Sequence, residues 1–310
     1  MRVLMIAYAI RRVVLMVPLL FAVATLTFFL MHSVEGGPFD SDRPISDATR
    51  ARLNERYNLD GSLLTQYTNF IANTAQLDLG ISTSSNERAI TDIISEKFSV
   101  SIQLGICAFI FAVLLGVTLG VVSAMNQNGI GDYVGVFIAT GGAALPSFIL
   151  APFRIILFAL KLDWFDVLGW ELWNYKKMVL PSVALGMLPG AFIARIARAS
   201  MLDVLRQDYI RTARAKGVKE FSVITRHAVK NAMIPVLTVL GPIFAGLITG
   251  SFIIENAFAI PGLGNAFVSS VLIRDYGLIM GVTLFYAGII AAMNLVVDLA
   301  YAMADPRIRL

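Results

Sequence analysis

The chain has 310 residues, of which 57% are hydrophobic and 15% charged, where soluble domains run at about 45–50% apolar and about 25% charged. That balance excludes an ordinary soluble enzyme and a disordered chain, and the single cysteine, Cys107, excludes a disulfide framework or a cysteine-rich metal site. Lys and Arg outnumber Asp and Glu by 25 to 21, a net charge of +4, and the two histidines, His32 and His227, stand too far apart to suggest a histidine-based metal or triad site.

A helix that crosses a bilayer needs about 20 mostly apolar residues. Residues 13–31 carry no charge. Arg11 and Arg12 precede this run, as in a signal peptide, but it is long and no small-residue cleavage site follows, so a retained helix is expected. An outer segment, 33–97, comes next. It is rich in acids, and its scattered Leu53, Tyr57, Leu59, Leu63, Tyr67, Phe70 and Ile71 suggest short surface helices that either dock an external protein or cover the outer mouth. Further uncharged runs, 98–131, 133–153 (continued after Arg154), 178–194, 231–254 and 276–297, place helices at about 100–125, 133–160, 178–199, 233–255 and 276–302. The sequence thus predicts an all-α membrane protein with six transmembrane helices. Its regions are 1–32 (first helix), 33–97 (external), 98–303 (core, including an inner loop 200–232) and 304–310 (tail).

Orientation follows from Lys and Arg in the short loops. The dense basic run from Arg195 to Lys230, with Arg2, Arg11, Arg12, Arg307 and Arg309, puts both termini on the cytoplasmic side. All three tryptophans, Trp164, Trp170 and Trp173, then fall in one outer loop with Phe165 and Tyr175. A place at the headgroup level suits such rings; contact with substrate is the alternative.

Sites for chemistry are missing from the sequence. It contains no Gly-x-x-x-x-Gly-Lys-Ser/Thr phosphate loop, no Gly-x-Ser-x-Gly elbow and no His-Glu-x-x-His. Ser251 follows Gly250 in a span, yet no histidine lies near a span centre to activate it. Carboxylates inside the spans are scarce, with Asp298 near an inner end, whereas proton-coupled transporters carry relays there. No catalytic, cofactor-binding or metal-binding residue is expected. The chain reads as a pathway without its own engine.

The stretch 201–231 is the most informative. Leu202, Leu205, Tyr209 and Ala213 fall on one face at helical spacing, while Arg206, Arg211, Arg214 and Lys216 project elsewhere. Asp208 is expected to cap a helix over 209–216, with Gly217 at its left-handed end. Phe221, Ile224 and Ala228 then share a face of a second helix, and Pro235 opens the next span. Such a helix-Gly-helix is either a surface helix against anionic lipid or a dock for a cytoplasmic partner.

The run Asp208-Tyr-Ile-Arg-Thr-Ala-Arg-Ala-Lys-Gly217, continuing to Arg226-His227-Ala228 and Ile234-Pro235, resembles the cytoplasmic loop of binding-protein-dependent ABC importer permeases. The likeness is to the dipeptide/oligopeptide branch, and most of all to its oligopeptide B subunits. Arg211-Thr212-Ala213 stands where the general motif has Glu-Ala-Ala, and Pro235 comes later than in that motif; both departures are typical of this branch. Gly36-Gly37-Pro38, Gln66-Tyr67, Asp78-Leu79-Gly80, Ala144–Phe148, Ile254-Glu255, Ile260–Gly264, Arg274-Asp275-Tyr276 and Asn294 with Asp298, Tyr301 and Asp305–Arg309 extend the resemblance over essentially the whole chain.

The resemblance implies a type I importer fold and a location in the bacterial inner membrane. It also implies a second homologous permease, two cytoplasmic P-loop ATPases that use ATP and Mg, and an external binding protein that delivers peptide. No enzyme activity is implied for this chain. Asp208, Tyr209, Arg211, Thr212, Ala213, Arg214, Ala215, Lys216 and Gly217 would couple to the ATPases. Related permeases carry nickel, opines, glutathione or sugars, and a secondary transporter without ATPases is a further alternative.

Four other residues stand out. Arg154, 22 residues after Asp132, would lie roughly 33 Å along a continuous helix, where it either snorkels to the outer interface or faces substrate carboxylates. Glu255, Asn294 and Asp298 read as structural partners of a helix end or nearby arginine, or as pathway residues; Asn294 and Asp298 are one turn apart. Cys107 reads as packing, and His227 as a surface or docking residue.

Overall fold

The computed structural model describes residues 2–34, 39, 52, 55, 60–85, 88–144 and 147–304. Gly36-Gly37-Pro38, Leu53, Tyr57, Leu59, Leu145-Pro146 and the tail 305–310 lie outside them. Among the described residues the elements are helical, apart from one isolated bridge between Ile81 and Ala89. Five helices are long and apolar enough to cross a membrane. The chain divides into two compact units.

The first unit holds residues up to Val100 and from Pro261 onward. Helix α1 (Arg2–Ser33) exposes apolar side chains along its length, among them Val14, Val17, Leu26 and Leu30. A helix apolar all round suits lipid or another subunit, not water. Its C-terminal end buries Phe28 against Tyr276 and Met280, with Tyr67 and Phe70 of α2 (Leu63–Ala75) beside them. Its other end meets α12 (Tyr276–Ala304): Tyr8 donates to Asp298 at 2.9 Å, and Arg12 lies 2.8 Å from the same carboxylate. The start of α1 and the end of α12 therefore lie at the same level. Helix α3 (Ile90–Met125) begins in this unit, where Ile90, Ile93 and Ile94 pack with Leu263, Leu278, Val282 and Tyr286. A helix between the turn at 260–264 and the last span, α11 (Leu263–Leu272), has no counterpart in the sequence reading.

The second unit, Ser101–Ile260, holds the rest of α3 and the elements from α4 to α10. Over the expected span 133–160, α4 covers Ile130–Ala144 and α5 covers Ser147–Arg154 before a wider π-helical stretch, Ile155–Lys161, with 145–146 outside the described residues. Pro152 inside α5 has no N–H for the preceding turn, and the chain resumes hydrogen bonding with the looser repeat. Helix α6 (Tyr175–Leu205), capped by Asn174, runs beyond the expected end at 199 and carries Arg195 and Arg198. Helix α7 covers Asp208–Ala215, α8 Glu220–Ser222, a second π stretch Val223–Ala228, and α9 Val229–Ile248. The expected span 233–255 stops at Ile248, because the backbone turns at Gly250 (φ +81°) and a short α10 (Phe252–Ala257) follows.

Close helix contact in this unit rests on small residues, as membrane packing favours. A Cβ on Gly116 would lie 2.6 Å from Ile193 of α6. In the loop that holds the three tryptophans, Trp170 donates to Gln103 of α3 at 3.1 Å, whereas Trp173 stays exposed.

In the first unit, fully buried Asp275 accepts from Ser82 Oγ at 2.5 Å, Ser84 Oγ at 2.7 Å and the Leu278 backbone N–H at 3.1 Å. It thereby pins the loop before α3 to the start of α12. Stranding such buried donors costs about 1–3 kcal/mol each. Asp275→Ala should therefore lower the unfolding temperature in detergent by several degrees. Adding Ser82→Ala should cost little more, because both changes remove the same bond.

Candidate functional site

The segment 200–232 is built on a small apolar core. Ile210 of α7 is fully buried with Ala124 of α3, Met201 of α6, and Val223, Ile224 and Ala228 of the π stretch. One buried isoleucine anchors α7, and its polar face stays open. Asp208 and Arg211 are both exposed and 3.5 Å apart, which at a surface adds little. Thr212 donates to the Asp208 carbonyl. Ala213 packs against the apolar core, while Ala215 and Lys216 are exposed.

The end of α7 is a Schellman turn. Gly217 N–H donates to the Arg214 carbonyl at 3.0 Å, Val218 N–H donates to Ala213 at 3.2 Å, and Val218 packs on the core. Gly217 has φ +73°, a conformation costly for a residue with a Cβ. Arg214 then reaches forward to Glu220, with contacts of 2.7 and 3.1 Å, and that carboxylate raises the guanidinium pKa above its ordinary value.

Three details of this segment differ from the sequence reading. Gln207, not Asp208, holds the cap position, and the helix ends at Ala215. The stripe Leu202–Leu205–Tyr209 is broken between α6 and α7, so Tyr209 is exposed and accepts from Asn231 Nδ2 at 2.9 Å. Phe221 does not share the buried face of Ile224 and Ala228; it is 78% exposed. The π stretch from Val223 to Ala228 changes the angular spacing that a 3.6-residue period assumes.

Beneath the segment lies a contact that no local pattern signals. Arg198 of α6 grips Asp132 of α4 with two hydrogen bonds, 2.7 and 2.6 Å, and the Asp132 side chain is almost completely buried. Asn128 N–H donates to the same carboxylate at 3.0 Å. The α3–α4 turn and α6 are thus tied at one point.

The other candidates fall in separate places. Arg154 ends α5, and the path from Asp132 along which its reach is judged passes through 145–146, outside the described residues. Its Nη1 is buried, without a hydrogen-bond partner among the described residues. Glu255 is fully buried in α10, against the bend at Gly250. Asp298 pairs with Arg12, while Asn294, one turn earlier, is exposed. Cys107 is a free, half-buried thiol in α3. Among the described residues no cluster of His, Cys, Asp or Glu could hold a metal ion.

Residues 116–310 match the family described as binding-protein-dependent transport system inner membrane component. The chain belongs to this family and is a multi-pass inner-membrane permease subunit of a binding-protein-dependent ABC importer. It is 43% identical over 303 residues to the dipeptide transport system permease protein DppB of Bacillus subtilis (strain 168), covering 98% of each chain. It is 40% identical over 305 residues to the oligopeptide transport system permease protein OppB of Escherichia coli (strain K12), covering 98% of this chain and 100% of that one. Two solved structures share the type I importer permease fold. One is an amino acid ABC transporter with histidines (TM-score 0.53, 16% identity, 69% of this chain and 94% of that one). The other is the inward-facing MetNI methionine ABC transporter (TM-score 0.51, 16% identity, 67% and 96%).

Breaking a buried ion pair by removing one partner costs about 3–5 kcal/mol. Asp132→Ala and Arg198→Ala should each sharply lower thermal stability. The exchanged pair, Asp132→Arg with Arg198→Asp, should recover part of it, and a double-mutant cycle on unfolding in detergent measures the coupling.

Proposed function

We propose that this chain forms half of the translocation pathway of an ATP-driven peptide importer. The partners are a second homologous permease, two cytoplasmic P-loop ATPases that consume ATP and Mg, and an external peptide-binding protein. The chain itself binds no cofactor. Its near-full-length likeness to dipeptide and oligopeptide permeases supports the peptide substrate. The shared level of Arg12 and Asp298 supports termini on one side, and the basic segment between α6 and α9 supports assigning that side to the cytoplasm. On this reading α4 and α5 together make a sixth crossing. Residues 33–97 are external, 98–303 form the core, and 304–310 are a cytoplasmic tail.

The observation that carries the coupling role is the build of α7. It is short, anchored by one buried residue, closed by a glycine turn and polar on its open face. We assign ATPase coupling to Asp208, Tyr209, Arg211, Thr212, Ala213, Arg214, Ala215, Lys216 and Gly217, and add Phe221 as an apolar contact on the same surface. Nucleotide changes the spacing of the ATPases, α7 follows, and the pathway opens to one side or the other. The driving term is the difference in affinity between the two states. Arg154, Glu255, Asn294 and Asp298 act as structural or pathway residues in this scheme, with no covalent step.

Purification of the tagged chain from its native membrane should bring down two P-loop ATPases and a second permease. Recovery of the chain alone, under conditions that hold a known ABC complex together, would overturn the reading. Gly217→Val and Phe221→Ser should leave membrane insertion intact, yet reduce ATPase recovery and peptide uptake at least about tenfold.

A further inference from the structure

Between α6 and α9 lies an open cavity of about 470 Å³, lined by Leu185, Leu188, Phe192 and Arg195 on one side and Ile243 and Gly246 on the other. That volume falls within the usual range for small-ligand sites. Its walls are apolar, with one cation. Arg195 follows Leu188 and Phe192 along one stripe of α6 at helical spacing. The neighbouring Arg198 is held by Asp132, but Arg195 has no carboxylate within salt-bridge distance among the described residues. An arginine inside a membrane span is costly without an anionic partner or water, and marks a functional site.

The opposite polarity is supplied by the backbone. Pro189 in α6 offers no N–H to the carbonyl of Leu185, and Pro242 in α9 offers none to Thr238. The freed Leu185 carbonyl belongs to a residue of the cavity wall. Leu185 and Arg195 are separated by roughly 15 Å along the helix axis, and the arginine leans back toward Leu185, because helical side chains tilt to the N-terminus. An extended peptide covers at most about 3.6 Å per residue, so a chain of about three or four residues fills the interval.

The geometry points to this cavity as a transient site for a short peptide within the permease. Arg195 takes the peptide's C-terminal carboxylate, the Leu185 carbonyl takes an N–H or the terminal ammonium, and the apolar walls take the side chains. Guanidinium and carboxylate match as a two-bond pair. Because the walls read no particular side chain, the site selects the free carboxylate rather than the sequence. This inference rests on the peptide reading proposed above. It adds a recognition step in the membrane to that made by the external binding protein.

The test uses the whole transporter in proteoliposomes, with its binding protein and ATP, and compares uptake of a tripeptide with uptake of its C-terminal amide. The binding protein's own preference cancels when variants are compared with wild type. Arg195→Gln should slow uptake of the free acid about tenfold or more while leaving that of the amide near the wild-type rate; Arg195→Lys should fall between. Gly246→Phe tests the space itself. A Cβ at Gly246 meets nothing within 4 Å, so the ring fills the cavity without displacing backbone and should stop uptake of both peptides in an assembled complex. Equal slowing of acid and amide by Arg195→Gln, or normal uptake by Gly246→Phe, would overturn the site. So would loss of the second permease from the Gly246→Phe complex, which would make this face a subunit interface. Failure of the wild-type complex to import any peptide would instead overturn the peptide reading, independently of the variants.

Discussion

Hydrocarbon holds no water to satisfy a peptide group, so every break in a membrane helix must be covered by protein or open onto a wet cavity. This constraint accounts for where the irregular backbone lies. Pro181 and Pro189 lie inside α6, Pro235 and Pro242 lie inside α9, each removing one N–H from the helical ladder, and a π stretch precedes α9. The prolines of the second unit's long helices thus fall on the two that border the cavity. Helix α3, by contrast, has no proline over Ile90–Met125; its Gly116 and Gly120 serve close packing against α6, and its Gly105 against the end of α9. The proline-free helix is the frame, and the two that contain prolines carry the freed backbone groups and flank the segment between them.

The sequence shows the apolar runs well because a bilayer fixes both length and composition. It shows the turn at Gly217 because a lone glycine after an amphipathic octet has few other uses. What it hides is whatever depends on partners distant in the chain. Asp132 and Arg198 are 66 positions apart, and neither stands in a pattern that names the other. Arg195 reads as one more basic residue near a span end until the cavity between α6 and α9 is seen. Phe221 is misassigned because a helical wheel assumes 3.6 residues per turn, and the π stretch beginning two residues later rotates Ile224 and Ala228 away from it. The bend at Gly250 is concealed for the opposite reason: hydropathy continues smoothly through Phe252, Ile253 and Ile254 while the backbone does not.

The cavity and the segment between α6 and α9 share their supports, and this explains how one could act on the other. Helix α6 carries Arg195 on the cavity wall, Arg198 in the clamp to α4, and at Leu205 runs into the segment that begins α7. Helix α9 forms the facing wall, and its first turns continue from the π stretch that buries Val223, Ile224 and Ala228 beneath Ile210. Asn231 of α9 further bonds to Tyr209 of α7. A displacement of α7 therefore bears on both walls of the cavity at once, through the short link at 206–207 on one side and through the packed core on the other. The Asp132 clamp makes α4 follow α6, so the movement reaches a third helix without a separate joint. If the ATPases dock on the open face of α7, as proposed, their closure changes the width of the space in which Arg195 meets a carboxylate. The affinity of that space for its ligand then differs between the two states, and this difference is the only quantity through which nucleotide binding can drive release.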